Sequence, residues 1–234
     1  MDTKLNPFAQ TREQYIINLV NPSANQRILC VGISNIPTLE MDLENKVKEC
    51  WTIDIDKRKL ERAASYLKKT ELVHADITKE NNLKKGYFDT IIILEVLEHL
   101  DDDAKTLAWA RSLLKLGGKI IISVPNKNPI HIFNPLLYTE HKRHYSNKNI
   151  LTLVKNSGFD IEHFNVVESW LLLVNLYVHL FNKFFLHKNV PFGEFTKKAN
   201  CTYLNLNRKG LDIIVVGVKM GSDLYNEKNS LFSA

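Results

Sequence analysis

Two aspartates stand where short apolar runs of the sequence end. Asp54 lies near the end of residues 50–55, and Asp76 closely follows residues 71–74. A carboxylate at the end of a strand can accept hydrogen bonds from both hydroxyls of a ribose, which suits Asp54, and from the amino group of an adenine, which suits Asp76. Asp56 fits better as the N-cap of a following helix. The two aspartates therefore predict a nucleotide-binding site.

A glycine directly follows the first apolar run, residues 27–31. Gly32 lets the chain turn sharply there and lets a ligand approach the backbone closely. A dinucleotide-binding fingerprint would place two further glycines where Ser34 and Ile36 stand. Asp54 by itself would also suit a nicotinamide cofactor, but the missing glycines argue against a nicotinamide-dependent oxidoreductase.

The elements around these residues must bring them together. Short apolar runs alternate with longer amphipathic segments that predict helices over residues 58–68 and 104–116, the second followed by the helix-terminating pair Gly117-Gly118. The runs that predict strands are residues 27–31, 50–55, 71–74, 88–94 and 119–124. Strand, helix and strand in this repeated order predict a parallel sheet, in which ligands bind beyond the carboxyl ends of the strands.

The length and composition exclude several classes of protein. The chain has 234 residues, of which 44% are hydrophobic and 24% charged, with three cysteines and a net charge of +5. This length suits one domain with a sizeable core, and the composition excludes a disordered chain, a collagen-like repeat and a disulfide scaffold. Cys30, Cys50 and Cys201 show no paired spacing, and residues 1–20 do not resemble a signal peptide, so we expect a cytoplasmic protein.

The positive charge is concentrated in one segment. Residues 181–210 contain six Lys or Arg residues and one Glu, a surplus equal to that of the whole chain. Such a segment favours an anionic partner, namely phosphate, nucleic acid or an acidic membrane surface. A solvated, lysine-rich loop would have the same composition.

The Val-Leu-Glu-His-Leu segment at residues 96–100, directly after a predicted strand, resembles the class I S-adenosylmethionine-dependent methyltransferases, in the branch that modifies small molecules and glycans. Further matching segments follow in the family's order at residues 114–119, 123–126, 140–146 and 156–159. The resemblance implies a Rossmann-like, three-layer α/β/α fold. Its sheet would have seven strands, mostly parallel, with an antiparallel last strand over residues 211–219.

The resemblance also implies that the cofactor is S-adenosylmethionine. It implies further that residues at the predicted strand ends bind this cofactor. The expected cofactor-binding residues are Gly32, Ile33 and Ser34 for the methionine part, Asp54 and Ile55 for the ribose, Asp76 and Ile77 for the adenine, and Leu94 and Glu95 for the sulfonium side. Cys30 stands where the family usually has an acidic residue. Ser34 replaces the second glycine, and its hydroxyl could hydrogen-bond the cofactor's carboxylate. These two departures support one alternative, a non-catalytic scaffold that binds S-adenosylmethionine.

A histidine beside the fourth predicted strand is the expected catalytic residue. Methyl transfer to an alcohol or phenol needs an aligned nucleophile and a base that removes its proton, and an imidazole suits this role near neutral pH. His99 is the first candidate, and His141 and His144 are the reserves. A His at this position could instead cap the following helix or hydrogen-bond the sheet.

The same segment admits a metal site. Glu95, Glu98 and His99, with His141, resemble the divalent-metal ligands of ubiquinone-pathway O-methyltransferases and of small-RNA 2′-O-methyltransferases. A catalytic metal is an alternative that we do not favour, because the Val-Leu-Glu-His-Leu motif also occurs in relatives without metal. An RNA 2′-O-methyltransferase is the corresponding functional alternative. Nucleic acid is not the favoured partner, because no basic and aromatic binding module is visible outside the predicted domain.

We expect residues 1–234 to form one methyltransferase domain with an insertion at residues 168–210, between the last two strands. The insertion begins with a segment of helical pattern whose polar residues form a narrow stripe, and it is too short and too interrupted to span a bilayer comfortably. Three roles are open: a lid over the acceptor, a homodimer interface, or a surface that rests on the inner membrane. A helix packed on the sheet is the structural alternative.

An apolar wall beside basic residues predicts an acceptor that is partly hydrophobic or carries phosphate. The expected function is therefore methylation of a small-molecule, sugar or lipid-linked acceptor, with O-methylation favoured over N-methylation.

Overall fold

The computed structural model describes residues 7–127, 142–167 and 210–221, with side chains from Arg12 onward. The expectations for His141 and for almost all of the insertion at 168–210 lie outside these residues.

The described residues form alternating helices and strands. The helices are α1 (Pro7–Val20), α2 (Thr38–Leu43), α3 (Lys57–Ala63), α4 (Asp103–Leu113) and α5 (Asn147–Asn156), with a 3₁₀ turn at Leu97–His99. The strands are β1 (Arg27–Val31), β2 (Glu49–Asp54), β3 (Thr70–His74), β4 (Phe88–Leu94), β5 (Leu114–Pro125), β6 (Phe159–Val167) and β7 (Asp212–Lys219).

In the described part of the chain, these strands form one seven-stranded sheet with the order β3-β2-β1-β4-β5-β7-β6. The strands from β1 to β5 pair in parallel, and β7 pairs antiparallel with both β5 and β6. The predicted fold class, a mostly parallel Rossmann-like sheet with an antiparallel last strand, is confirmed. The carboxyl ends of β1, β2, β3 and β4 therefore meet at one edge of the sheet.

Both faces of the sheet centre are covered. The isoleucines of β4 and β5 are at most 1% exposed, which confirms that their uninterrupted apolar runs are buried on both sides. One face packs with α4 and α5, and the other with α1, whose Ile16 and Ile17 join the cluster of Ile92 and Ile121.

Capping residues fix where the helices begin. The carboxylate of Asp56 accepts a hydrogen bond from the N–H of Arg58 at 2.9 Å, which confirms Asp56 as the N-cap of α3. Asp102 caps α4 in the same way, and Ser146 caps α5. These caps start each helix directly after the loop that leaves the sheet.

Two predicted helices are too long. The segment predicted over residues 58–68 ends at Ala63, after which i→i+3 hydrogen bonds form turns. The helix predicted over residues 104–116 ends at Leu113, and Leu114 already pairs with Phe88. Pairing resumes between Lys119 and Thr90, so the two glycines lie in a bulge of β5 and do not end a helix.

Candidate active site

A cleft of about 440 Å³ lies over the carboxyl ends of β1, β2, β3 and β4. It is lined by every residue predicted to bind cofactor and by the predicted base: Gly32, Ile33, Ser34, Asp54, Ile55, Asp76, Ile77, Leu94, Glu95 and His99. A larger but more open depression of about 640 Å³ lies between α4 and α5, and no acidic or histidine side chain lines it. Of these two cavities, the first cleft is therefore the one that contains acidic and histidine side chains.

Gly32 makes the tight turn from β1 into this cleft. Its φ angle is +81°, a left-handed conformation that favours glycine, and its N–H donates to the carbonyl of Ile53 at 2.8 Å. A β-carbon at this position would lie 2.8 Å from Cγ2 of Val96, so a larger residue would collide with the opposite wall. Glycine is therefore required at this turn both by its backbone conformation and by the close approach of Val96.

Asp54 ties the loop after β1 to the end of β2. One carboxylate oxygen accepts from the N–H of Ile33 at 2.8 Å, and the other accepts from the N–H of Asp56 at 2.7 Å. The residue is 8% exposed and lines the cleft. Because each carboxylate oxygen has two acceptor sites, both oxygens can still accept from ribose hydroxyls.

The side chain of Asp76, just after β3, is fixed by hydrogen bonds from the residue two positions further on. One carboxylate oxygen accepts from the hydroxyl of Thr78 at 2.6 Å and from its N–H at 2.9 Å, and Lys79 lies 3.3 Å from the other oxygen. The hydrogen bonds from Thr78, assisted by Lys79, lower the pKa of Asp76. The ionised carboxylate is an acceptor, as contact with an adenine amino group requires.

The hydroxyl of Ser34 does not donate a hydrogen bond into the cleft. Its hydroxyl donates to the carbonyl oxygen of Ile36 within the same loop. The expected hydrogen bond from Ser34 to the cofactor's carboxylate is therefore not available in this conformation, because a hydroxyl has one proton to donate.

Glu95 adopts an uncommon backbone conformation at the end of β4. Its φ angle is +52°, although it is not a glycine, and its N–H donates to the carbonyl of Ser123 at 3.1 Å. The Ser123 hydroxyl also donates to the Glu95 carboxylate at 2.5 Å. Backbone strain of this kind concentrates at functional sites, so it supports Glu95 as a site residue.

Glu98 and His99 lie just beyond. Glu98 has no exposed surface, and neither of its carboxylate oxygens has a hydrogen-bond partner among the described residues. Burial, assisted by the charge of Glu95, raises the pKa of Glu98 to about 9. Nε2 of His99 lies 3.8 Å from a carboxylate oxygen of Glu98, and the imidazole is 41% exposed. His99 can therefore face a ligand while Glu98 stays buried.

The metal alternative stays a prediction. Within residues 7–127, 142–167 and 210–221, no group of three or more His, Cys, Asp or Glu side chains is arranged to hold a metal ion. His141, the fourth residue of the suggested set, lies outside those ranges. His144, the other reserve base, does not line the cleft, and burial lowers its pKa.

Four charged residues that line the cleft were not predicted from the sequence: Arg12 and Glu13 of α1, Glu40 of α2 and Lys59 of α3. No local sequence pattern indicates which side chains of these helices face the site. Arg12 lies 3.9 Å from the carboxylate of Asp212. The cleft thus combines acidic side chains at strand ends with cations from the helices.

Comparisons with known proteins agree with this geometry. Residues 29–122 match the model of a methyltransferase domain. The chain is 28% identical over 141 residues to a protein from Alkalilimnicola ehrlichii named ubiquinone biosynthesis O-methyltransferase, a match that covers 58% of this chain and 56% of that protein. The chain thus spans little more than half the length of that relative.

Two solved structures share the fold. The N-methyltransferase NodS from Bradyrhizobium japonicum, in complex with S-adenosyl-L-homocysteine, has a TM-score of 0.62 at 13% identity, covering 92% of this chain and 89% of that chain. The [4+2]-cyclase SpnF has a TM-score of 0.65 at 14% identity, covering 91% of this chain and 81% of that chain. Because one of these proteins is named a cyclase, the fold alone does not decide the reaction.

The sheet order and the cleft at its carboxyl edge define a Rossmann-like α/β protein. Residues 29–122 match a methyltransferase domain, and over most of its length the chain has the fold of a solved structure described as a putative methyltransferase from Bacillus halodurans. Among the described residues, no helix is both long and apolar enough to cross a membrane.

Proposed function

We propose that this protein transfers the methyl group of S-adenosylmethionine to an oxygen atom of a small-molecule, sugar or lipid-linked acceptor. One observation carries the proposal: the residues expected to hold the adenine, ribose and methionine parts of the cofactor line one cleft. The relative named ubiquinone biosynthesis O-methyltransferase and the neighbour with bound S-adenosyl-L-homocysteine support it.

The chemistry of the lining residues fits this cofactor. Asp54 would accept from the ribose hydroxyls and Asp76 from the adenine amino group, since both are carboxylates tied in place by backbone N–H groups. The guanidinium of Arg12 would bind the cofactor's carboxylate. The turn at Gly32 has a left-handed φ and no room for a β-carbon, so its backbone is exposed to the cleft without a side chain.

S-adenosylmethionine, when bound, supplies the activated methyl group. The protein's own residues then need only align the acceptor and remove its proton. His99 suits the second task, because its imidazole is partly exposed and lines the cleft. We therefore assign His99 as the base that accepts the proton of the acceptor hydroxyl.

The acceptor class rests on the sequence of residues 168–210, with its apolar run followed by basic residues. We propose that this insertion contacts the acceptor. Its use as a homodimer interface or as a peripheral contact with a membrane surface is the alternative, which sedimentation and vesicle binding would distinguish.

Isotope transfer tests the proposal. Purified protein is mixed with S-adenosylmethionine that carries a labelled methyl group and with fractionated cell extract, and cofactor binding is measured by calorimetry. We expect label in a small-molecule or lipid fraction.

The variant Asp54→Asn should bind the cofactor at least about tenfold more weakly. Asp56→Asn is the matched control, because Asp56 caps α3 and does not line the cleft.

Each other outcome has a defined meaning. Wild-type protein that neither binds the cofactor nor transfers label contradicts the proposal. Cofactor binding without transfer to any extract favours the scaffold alternative. Label that appears in RNA, with binding that weakens as salt rises, favours the RNA alternative.

A further inference from the structure

Glu40 is a buried carboxylate at the wall of the cleft. Helix α2, which directly follows the turn at Gly32, brings it there, and the residue is 4% exposed. Within the described part of the chain, no side chain forms an ion pair with its carboxylate. A buried charge without a cation is costly, and a ligand with a positive group would offset this cost.

The surroundings of Glu40 favour a positive ligand. Glu13 of α1 also lines the cleft, and its carboxylate accepts a hydrogen bond from the hydroxyl of Thr38. On the sheet side, Glu40 lies close enough to Cys30 for its charge to raise the thiol's pKa, after a hydrogen bond with Cys50 and burial. Burial, assisted by the charge of Glu13, raises the pKa of Glu40 itself to about 7.

The position of Glu40 identifies which part of the cofactor it would meet. It follows the loop at Gly32 and Ser34, where the methionine part is expected, and Cys30 stands two residues before that loop. The methionine part ends in an α-carboxylate and an α-ammonium. Arg12 suits the first group and an acidic side chain suits the second.

We propose that Glu40 binds the α-ammonium of the cofactor's methionine part, replacing from α2 the acidic side chain that Cys30 lacks on β1. This inference rests on the proposed function, because it concerns the same cleft and the same cofactor. It adds a specificity-determining residue, one that makes the site select ligands with a free amino group.

Calorimetry with matched ligands tests this assignment. The probes are S-adenosyl-L-homocysteine and its analogue with hydrogen in place of the α-amino group, measured at pH 8 so that Glu40 is mostly ionised. The variants are Glu40→Gln and, as control, Asp42→Asn, which removes the same charge from an exposed position of α2. We expect Glu40→Gln to weaken S-adenosyl-L-homocysteine binding by about 10- to 100-fold.

The deaminated analogue separates this inference from the proposed function. We expect it to bind wild-type protein and Glu40→Gln with nearly equal affinity, and Asp42→Asn to bind both probes like wild type. An unchanged affinity of Glu40→Gln for S-adenosyl-L-homocysteine overturns the inference, and so does an equal loss for both probes. If wild-type protein binds neither probe, the proposed function fails as well. Thermal melting without ligand verifies that Glu40→Gln is folded.

Discussion

At the end of β4, Glu95 and Glu98 bring two carboxyl groups close together. Glu98 is fully buried, and its pKa is raised to about 9 by burial and by the charge of Glu95. At neutral pH Glu98 is therefore protonated, which explains how it can lie fully buried without a hydrogen bond to its carboxyl oxygens among the described residues. The nearer carboxyl oxygen of this neutral acid lies 3.8 Å from Nε2 of His99.

Replacement of Glu98 by Gln tests its protonation. The folded-state pKa lies above the ordinary value near 4.5, so the stability that Glu98 contributes is full below about pH 4.5 and is lost as pH rises towards 9. Gln does not titrate, so we expect the melting temperature of Glu98→Gln, relative to wild type, to rise between pH 6 and pH 8.5. Thermal melts across that range measure it, with exposed Glu71→Gln as control. Parallel curves for wild type and Glu98→Gln would contradict the assignment.

The individual site residues differ in how well the sequence predicts them. Gly32, Asp54 and Asp76 could be predicted because each follows a short apolar run, and strand ends of a parallel sheet meet at one edge. Arg12 and Glu40 lie on helices, and nothing local distinguishes them from solvated charges. Their place in the cleft is set by how α1 and α2 pack on the sheet.

Among the elements, α2 is joined to the start of β3 by a single carboxylate. The side chain of Glu44, just after α2, accepts hydrogen bonds from the N–H groups of Lys68, Lys69 and Thr70 and from the Thr70 hydroxyl, at 2.9–3.1 Å for the closest contact of each donor. Burial raises its pKa, but these donors outweigh burial and the net shift is downward. This anchor holds the helix that carries Glu40.

We expect Glu44→Gln to destabilise the protein by about 1–3 kcal/mol at pH 7, because the closest contact of every donor is to one carboxylate oxygen and a neutral amide oxygen in its place accepts more weakly. Since the pKa of Glu44 is lowered, its contribution is present above about pH 4.5 and is lost as pH falls. The difference in unfolding free energy between wild type and Glu44→Gln should therefore shrink below pH 4.

Chemical denaturation at pH 7 and at pH 3.5 measures this difference. Glu61→Gln is the matched control, because its exposed carboxylate forms only a surface pair with Lys57 at 3.6 Å. A deficit of Glu44→Gln that stays constant between the two pH values would contradict the role given to the carboxylate.

Most helices and strands can be predicted from the sequence, but the residues at which they begin and end are predicted less accurately. The strands β1 and β4 occupy the residues predicted for them, because their apolar runs end at polar or glycine residues. The prediction that Gly117-Gly118 ends a helix is wrong, because glycines occur in strand bulges as well as at helix ends. Only the pairing of Leu114 with Phe88, a contact distant in sequence, decides between the two.

For the whole molecule, Gly217 marks where three elements converge. A β-carbon there would lie 2.9 Å from Cβ of Phe159 in β6, and 3.2 Å from both Ile120 in β5 and Val154 in α5. The close approach explains why glycine stands inside β7, where a side chain would usually be packed.

We expect Gly217→Ala to cost about 1–3 kcal/mol through overpacking. At this chain length the loss corresponds to a fall in melting temperature of about 2–12 °C. Scanning calorimetry measures it, and Gly221→Ala is the control, because among the described residues its new β-carbon would meet only Cδ1 of Leu116, at 3.7 Å. Equal melting temperatures for Gly217→Ala and wild type would refute the packing explanation.

The position of β7 has a consequence for biosynthesis. β7 comes after all the other described strands in the sequence, yet it lies between β5 and β6 and joins them. While the ribosome is still translating residues 212–219, the nascent chain carries β5 with one unpaired, strongly apolar edge. The strands from β1 to β5 can condense early, but an exposed edge of this kind recruits other strands, so folding chaperones should engage the emerging chain at this stage.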